Sequence, residues 1–260
     1  MANFLDATGD HISVGVKNAG YTTRLFFEQT YHLNSVFIKF SEIMKQMYLA
    51  GIQSMSVTFL VALFIGMVLA LQTGMSLKPL GMESVVANIT GVAMVREMGP
   101  LMTAIILAGR VGSSMAAEIG TMRVSEEIDA LEIMSINPVR FLVMPRVVAL
   151  TLMTPILTIF ANVIGISGAA LVSNTQIGIN YEQFYRDCFD YIQFRDLYSG
   201  LAKSFVFGVL VAVISCSEGM RTTGGAEGVG RSTRKAVVNS LLGIIISNYI
   251  MTTLMQRAFY

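Results

Sequence analysis

The sequence predicts an all-α integral membrane protein with five transmembrane helices, an N-terminal interfacial amphipathic helix and a short cytoplasmic helix after the second span. Three observations carry that reading. Of 260 residues, 53% are hydrophobic and only 13% are charged, about half the charged fraction of a soluble domain. No Asp, Glu, Lys or Arg occurs between Lys45 and Lys78, or between Arg146 and Glu182. Apolar runs of about 18 residues or more suit helices crossing a hydrocarbon layer of roughly 30 Å. Within that layer a spanning segment must satisfy its own backbone hydrogen bonds, so the spans are helical.

Residues 1–45 form the interfacial segment and 46–260 the membrane domain. In the first, Ile12, Val16, Ala19, Phe26, Phe27, Val36, Phe37 and Phe40 interleave with Lys17, Arg24, Lys39 and Lys45. That pattern predicts a helix lying in the membrane interface and broken near Asn34; packing against a neighbouring domain is the alternative. The first span covers about 52–75 and ends at a turn containing Gly74, Lys78, Pro79 and Gly81. The second covers about 85–109, interrupted by Arg96 and Glu97 and then by Gly99-Pro100. A polar stretch over about 110–145 follows. The third span, about 147–172, contains Pro155, and 173–198 reads as a small helical cap outside the bilayer. The fourth and fifth spans cover about 199–217 and 236–256, separated by a Gly-rich, flexible segment from Met220 to Lys235. Gly66, Ala70, Gly165, Gly168, Ala169 and Gly208 are small enough to let helices approach closely.

Basic residues orient the chain. An N-terminus inside places twelve Lys and Arg on the cytoplasmic side and five outside, namely Lys78, Arg186, Arg195, Lys203 and Arg257. The C-terminus is then outside. The N-terminus has no secretory-signal pattern, so the internal spans direct insertion. A net charge of +1 gives no reason to expect nucleic acid. Cys188 and Cys216 fall on opposite sides and are expected to stay unpaired.

Catalysis has little to work with. Both histidines, His11 and His32, lie in the N-terminal segment, no aspartate falls within a proposed span, and no HExxH zinc pattern or Ser-His pair is available. No catalytic residue, metal site or bound cofactor is therefore predicted. Gly225 to Ser232 nearly spells a phosphate-binding loop, but Arg231 stands at the lysine position, no strand precedes it, and no nucleotide-binding domain fits in the chain.

Two polar features demand an account. Burying Arg96 and Glu97 in a span costs several kcal/mol, from about 2.5 upward per residue. Adjacent helical residues point about 100° apart, so the two do not neutralise each other. Either they pair with other helices, or they line a cavity that handles a charged headgroup. The second feature is Val124 to Ile136, where Val124, Ile128, Leu131 and Met134 share a helical face and Glu126, Glu127, Asp129 and Glu132 lie elsewhere. Ser125 is placed to cap this helix and Pro138 to end it. Such a helix docks in a groove of a soluble partner or lies on the membrane surface, where its acidity fits poorly with anionic lipid.

The stretch from Arg96 to Arg146, REMGPLMTAIILAGRVGSSMAAEIGTMRVSEEIDALEIMSINPVRFLVMPR, resembles the MlaE (YrbE) family of ABC-transporter permeases. GGAEGVGRSTRKAVV, residues 224–238, is similar to that family's loop before the last span. The likeness runs from about Ile52 to the end and is weak over the first 45 residues; Met98 stands where leucine is usual. The resemblance implies a homodimer in the bacterial inner membrane, N-terminus cytoplasmic and C-terminus periplasmic. Two cytoplasmic ATPase subunits would use the ATP, and a ring of MCE-domain proteins would pass phospholipid between inner and outer membranes. It assigns about 124–136 to the coupling helix that meets the ATPase, and Glu118, Arg123, Val124, Glu126, Glu127, Ile128, Leu131 and Met134 to that contact. Arg96 and Glu97 would line the lipid cavity, with Leu69, Leu71, Gln72, Met75, Tyr249 and Met255 as further candidates. The rival reading is a proton-coupled secondary transporter using Glu97, against which count the missing internal repeat and the lack of other intramembrane acids. A pure scaffold gives no reason to bury charge.

Overall fold

The computed structural model describes residues 20–29 and 39–259, and these contain helices but no strand. Ile12, Val16, Lys17, Ala19, Val36, Phe37, the break near Asn34 and both histidines lie outside the described residues. Helix α1 covers 20–29. It is followed by α2 (Phe40–Met47), α3 (Gln53–Leu77), α4 (Ser84–Ala93), α5 (Gly99–Leu107), α6 (Ser113–Val124) and α7 (Glu127–Ile133). The rest are α8 (Met144–Val172), α9 (Tyr181–Tyr191), α10 (Phe194–Met220) and α11 (Gly225–Phe259). Short π-helical turns join several of these end to end, giving five rods long and apolar enough to cross a membrane: Phe40–Leu80, Ser84–Val124, Val139–Ile177, Phe194–Met220 and Gly225–Arg257.

The rods differ from the sequence expectation at three places. The polar stretch after 109 is not a loop, because the second rod continues through α6, which buries Met115, Ala116, Ile119 and Gly120. The fourth rod begins at Phe194, inside the expected cap. Residues Gly225 to Ser232, expected to be flexible, are the first turns of α11.

Helix α8 is the axis of the bundle, flanked by α3, α10, α2 and α5. Helix α3 meets it through Ser54, Thr58, Ala62, Gly66, Ala70 and Gly74, all buried at four-residue intervals. Between helices that both face lipid, contact rests on close van der Waals packing. Gly66 shows how close: a Cβ there would lie 1.9 Å from the Gly165 carbonyl oxygen. The third rod starts where Asn137 Oδ1 accepts the Val139 and Arg140 N–H groups at 2.8 and 3.1 Å, an N-cap that leaves Pro138 in the first turn.

Helix α1 packs on one end of the bundle. Leu25 is buried in the cluster that holds Ile128 and Val139, Thr22 bonds Ser217 at 2.9 Å, and Asn137 donates to Glu28 at 3.2 Å. The Arg221 guanidinium lies 5.3 Å from the Tyr21 ring, and burial pushes the Tyr21 hydroxyl pKa up. Phe27 faces outward. Both cysteines are buried and free.

Candidate functional site

The second rod swells into a π-helical turn at Met94–Met98, and Arg96 and Glu97 sit on it. Pro100 follows and has no N–H to return to the Arg96 carbonyl four residues back. Lys203 Nζ, from α10, donates to that carbonyl at 3.3 Å. Such inserted turns rotate the following side chains and recur at functional positions. Helix α10 can come this close because residue 200 is glycine: a Cβ there would lie 2.1 Å from the Val95 carbonyl oxygen.

The two charges part company, as their angular offset requires. Arg96 reaches Asp196, with Nε and Nη2 at 2.6 and 2.5 Å from Oδ1. Asp196 is 2% exposed and also completes a capping box with Gln193, accepting its N–H at 2.9 Å. Glu97 pairs with Lys203 through Oε1 and accepts Asn248 Nδ2 at 3.1 Å on Oε2. Thr252 Oγ1 lies 2.8 Å from Lys203 Nζ and 3.1 Å from Glu97 Oε1. The two acids and two bases cancel in charge.

Both charges thus pair with other helices and still keep an open side. Arg96 and Glu97 keep 32% and 30% of their side chains exposed, while Asp196 and Lys203 are almost fully covered behind them. The exposed parts line a chamber of about 280 Å3, together with Arg195, Ser199, Thr252 and Met255. Of the other proposed cavity residues, Met255 alone stands in this chamber. Leu69 is half-buried against the α3–α4–α8 core, Leu71 is half-buried, and Gln72, Met75 and Tyr249 are exposed on outer faces of the first and last rods.

Lys203 is not an outer flanking residue: it is 1% exposed and enclosed by Glu97, Thr252 and the Arg96 carbonyl. A signal for it existed. Asp196, Gly200 and Lys203 fall at i, i+4 and i+7, one helical face, with Lys203 inside the expected span. Asn248 and Thr252 repeat the i, i+4 spacing on α11.

The segment 124–136 is less regular than its spacing implied. Ser125 closes α6 without a side-chain cap, and Glu126 takes a left-handed conformation (φ 60°) before α7 begins. That turn resets the helical phase, so Val124 no longer shares a face with Ile128. Ile128 is fully buried and Leu131 packs on the same core as Leu25 of α1. The apolar groups turned outward are Ile133 and Met134, 85% and 61% exposed. Arg123 pairs with Asp129 at 2.5 Å and Arg146 with Glu118 at 3.1 Å, which tie the turn and α6 in place. Glu126, Glu127 and Glu132 face away from the core.

The family profile described as Permease MlaE matches residues 43–254. The chain belongs to the MlaE permease family. It is 43% identical over 212 residues to a probable ABC transporter permease of Synechocystis, covering 82% of this chain and 81% of that one. A probable ABC transporter permease of Rickettsia typhi is 36% identical over 99% of both chains. The chloroplastic protein Trigalactosyldiacylglycerol 1 of Arabidopsis thaliana is 38% identical over 81% of this chain and 60% of its own length. This MlaE-family chain is thus a multi-pass permease subunit of an ABC transporter, a class that works with ATPase partners.

Proposed function

We propose that the chain is the membrane subunit of an ATP-driven phospholipid transporter, acting as a homodimer with two cytoplasmic ATPases and a ring of MCE-domain proteins in the bacterial inner membrane. The observation that carries this reading is the chamber in which Arg96 and Glu97 are half-open while Asp196 and Lys203 hold them from behind. A headgroup bearing a phosphate and an amine or hydroxyl finds both a cation and an anion there, already fixed in place. The lipid class is supported by the Arabidopsis relative, whose name contains a glycolipid.

A chamber of about 280 Å3 is at the lower limit of pockets for drug-sized ligands, which run from roughly 300 Å3, so acyl chains need surface beyond it. Helix α11 supplies such surface, with Leu242, Ile245, Ile246, Tyr249, Ile250 and Leu254 all exposed. A second copy facing this surface would enclose the chains and draw Tyr249 into a shared cavity. With Lys203 withdrawn from the outer flank, the basic count becomes twelve inside against four outside, favouring the same orientation.

ATP drives such a cycle only where nucleotide binding favours one cavity shape over another. Closure of the ATPases would push on Ile133 and Met134, and the second rod would carry that motion to the π-helical turn. The proton-carrier alternative fits poorly, because Glu97 is tied to an ammonium and two further hydrogen-bond partners.

Mass spectrometry of proteins and lipids retained by the gently solubilised, tagged chain tests the proposal. The expected result is an ATPase, an MCE-domain protein and phospholipid, with ATP hydrolysis in the complex. Lipid movement by the purified chain alone, without nucleotide, would contradict it.

A further inference from the structure

A second cleft lies at the other end of the second rod. It has a volume of about 130 Å3 and is lined by Gln46, Leu49, Gln53, Arg110, Ser114 and Glu118, among others. Arg110 follows Arg96 by fourteen residues, or about 21 Å of helix, so the cleft is separate from the chamber. Its depth is set by the charge pattern. Lys45 is the last charge before the uncharged run that forms α3, and Gln53 is the first residue of α3. The cleft stands where hydrocarbon meets headgroups.

Its chemistry is half-finished. Gln46 is 9% exposed, yet its amide makes no hydrogen bond to the described residues. The amide atoms are not sealed off: they open onto the cleft, where a ligand or water can bond them. Arg110 donates through Nη1 to the Gln53 carbonyl, and its remaining N–H groups have no partner among the described residues. Glu118 is already engaged, accepting Ser114 Oγ at 3.1 Å and Arg146 Nη2 at 3.1 Å. Arg146 lies outside the cleft lining but compensates Glu118, which leaves the Arg110 charge without a carboxylate partner among the described residues. Beside it Tyr48, Leu49 and Ile52 present exposed apolar side chains at the depth of lipid chains.

We infer that this cleft binds the phosphodiester of a bilayer phospholipid, with Arg110 and Gln46 as its donors and the acyl chains lying along Tyr48, Leu49 and Ile52. The uncompensated Arg110 charge selects an anionic headgroup such as phosphatidylglycerol. The site is a boundary-lipid site and does not depend on what the chamber carries; under the orientation proposed above it belongs to the inner leaflet.

The test is titration of the intact detergent-solubilised complex with phosphatidylglycerol, read by native mass spectrometry and by the lipid-induced rise in unfolding temperature. Wild type should retain the lipid. Arg110→Gln should weaken binding roughly tenfold, the loss of one charge-assisted contact, and Gln46→Leu should weaken it severalfold. Both variants should unfold at the wild-type temperature in lipid-free detergent, which separates lost binding from lost folding. Glu97→Gln, in the chamber, should leave this binding intact even if it abolishes transport. Unchanged retention in both cleft variants overturns the inference, as does an equal temperature rise from inorganic phosphate, which would mark a site for free anions.

Discussion

Lys203 and Glu97 meet from two different rods, the ammonium 1% exposed and the carboxylate 30% exposed. The covered member depends on the open one for its counter-charge. Removing one partner of a buried pair costs about 3–5 kcal/mol, because the other is stranded. Glu97→Gln should therefore destabilise the protein by about that amount. Glu97→Gln combined with Lys203→Met should recover much of the loss. Thermal or denaturant unfolding of the single and double variants checks this, and simple additivity would show that the pair is not coupled.

Asp196 serves Arg96 and the start of α10 together. Asp196→Asn keeps an acceptor for the Gln193 N–H and loses the ion pair, whereas Asp196→Ala loses both. The alanine variant should be the less stable by about 1 kcal/mol, the usual net worth of one hydrogen bond. Equal stabilities would assign the capping role no weight.

Exposure separates two groups of apolar residues near α7. Replacing Ile133 and Met134 with Asp should release the ATPase while leaving the permease unfolding transition in place. Ile128→Ala should do the reverse, destabilising the permease by about 2–5 kcal/mol through a core cavity while ATPase retention persists. Pull-down and unfolding measured on the same samples tell these outcomes apart.

Burial pushes the Cys188 thiol up to about 11. At pH 8 almost none of it is thiolate, the form that reacts. A maleimide should leave Cys188 unmodified at pH 8 in the folded protein and label it on denaturation. Rapid labelling of folded protein would mean that α9 opens from the bundle.

Much of this architecture could be read from residue order. Charge-poor apolar runs located the five rods, because burying a charge in hydrocarbon is costly enough to leave a visible gap. The Arg96–Glu97 pair was legible for the same reason. Its partners were overlooked because Lys203 and Asp196 lie near a span boundary, where long or capping side chains are common. The failure at α7 has a different origin. A single left-handed residue, Glu126, broke the periodicity that grouped Val124 with Ile128, and an acidic side chain gives no warning of such a turn. The chamber-lining role suggested for Leu69, Leu71, Gln72, Met75 and Tyr249 depends on what faces them, which one chain's sequence does not contain.

The unbroken helical course from Ser84 to Val124 has a mechanical implication. Forty-one residues at 1.5 Å each make a lever about 60 Å long, with Arg96 and Glu97 on one arm and the α7 turn beyond the end of the other. Pivoting it by about 5° around its centre would swing each tip by roughly 3 Å, in opposite senses. A push at the α7 end would thus reach Arg96 and Glu97, about 12 Å from the centre, as an opposite displacement of roughly 1 Å, enough to change the reach of their hydrogen bonds.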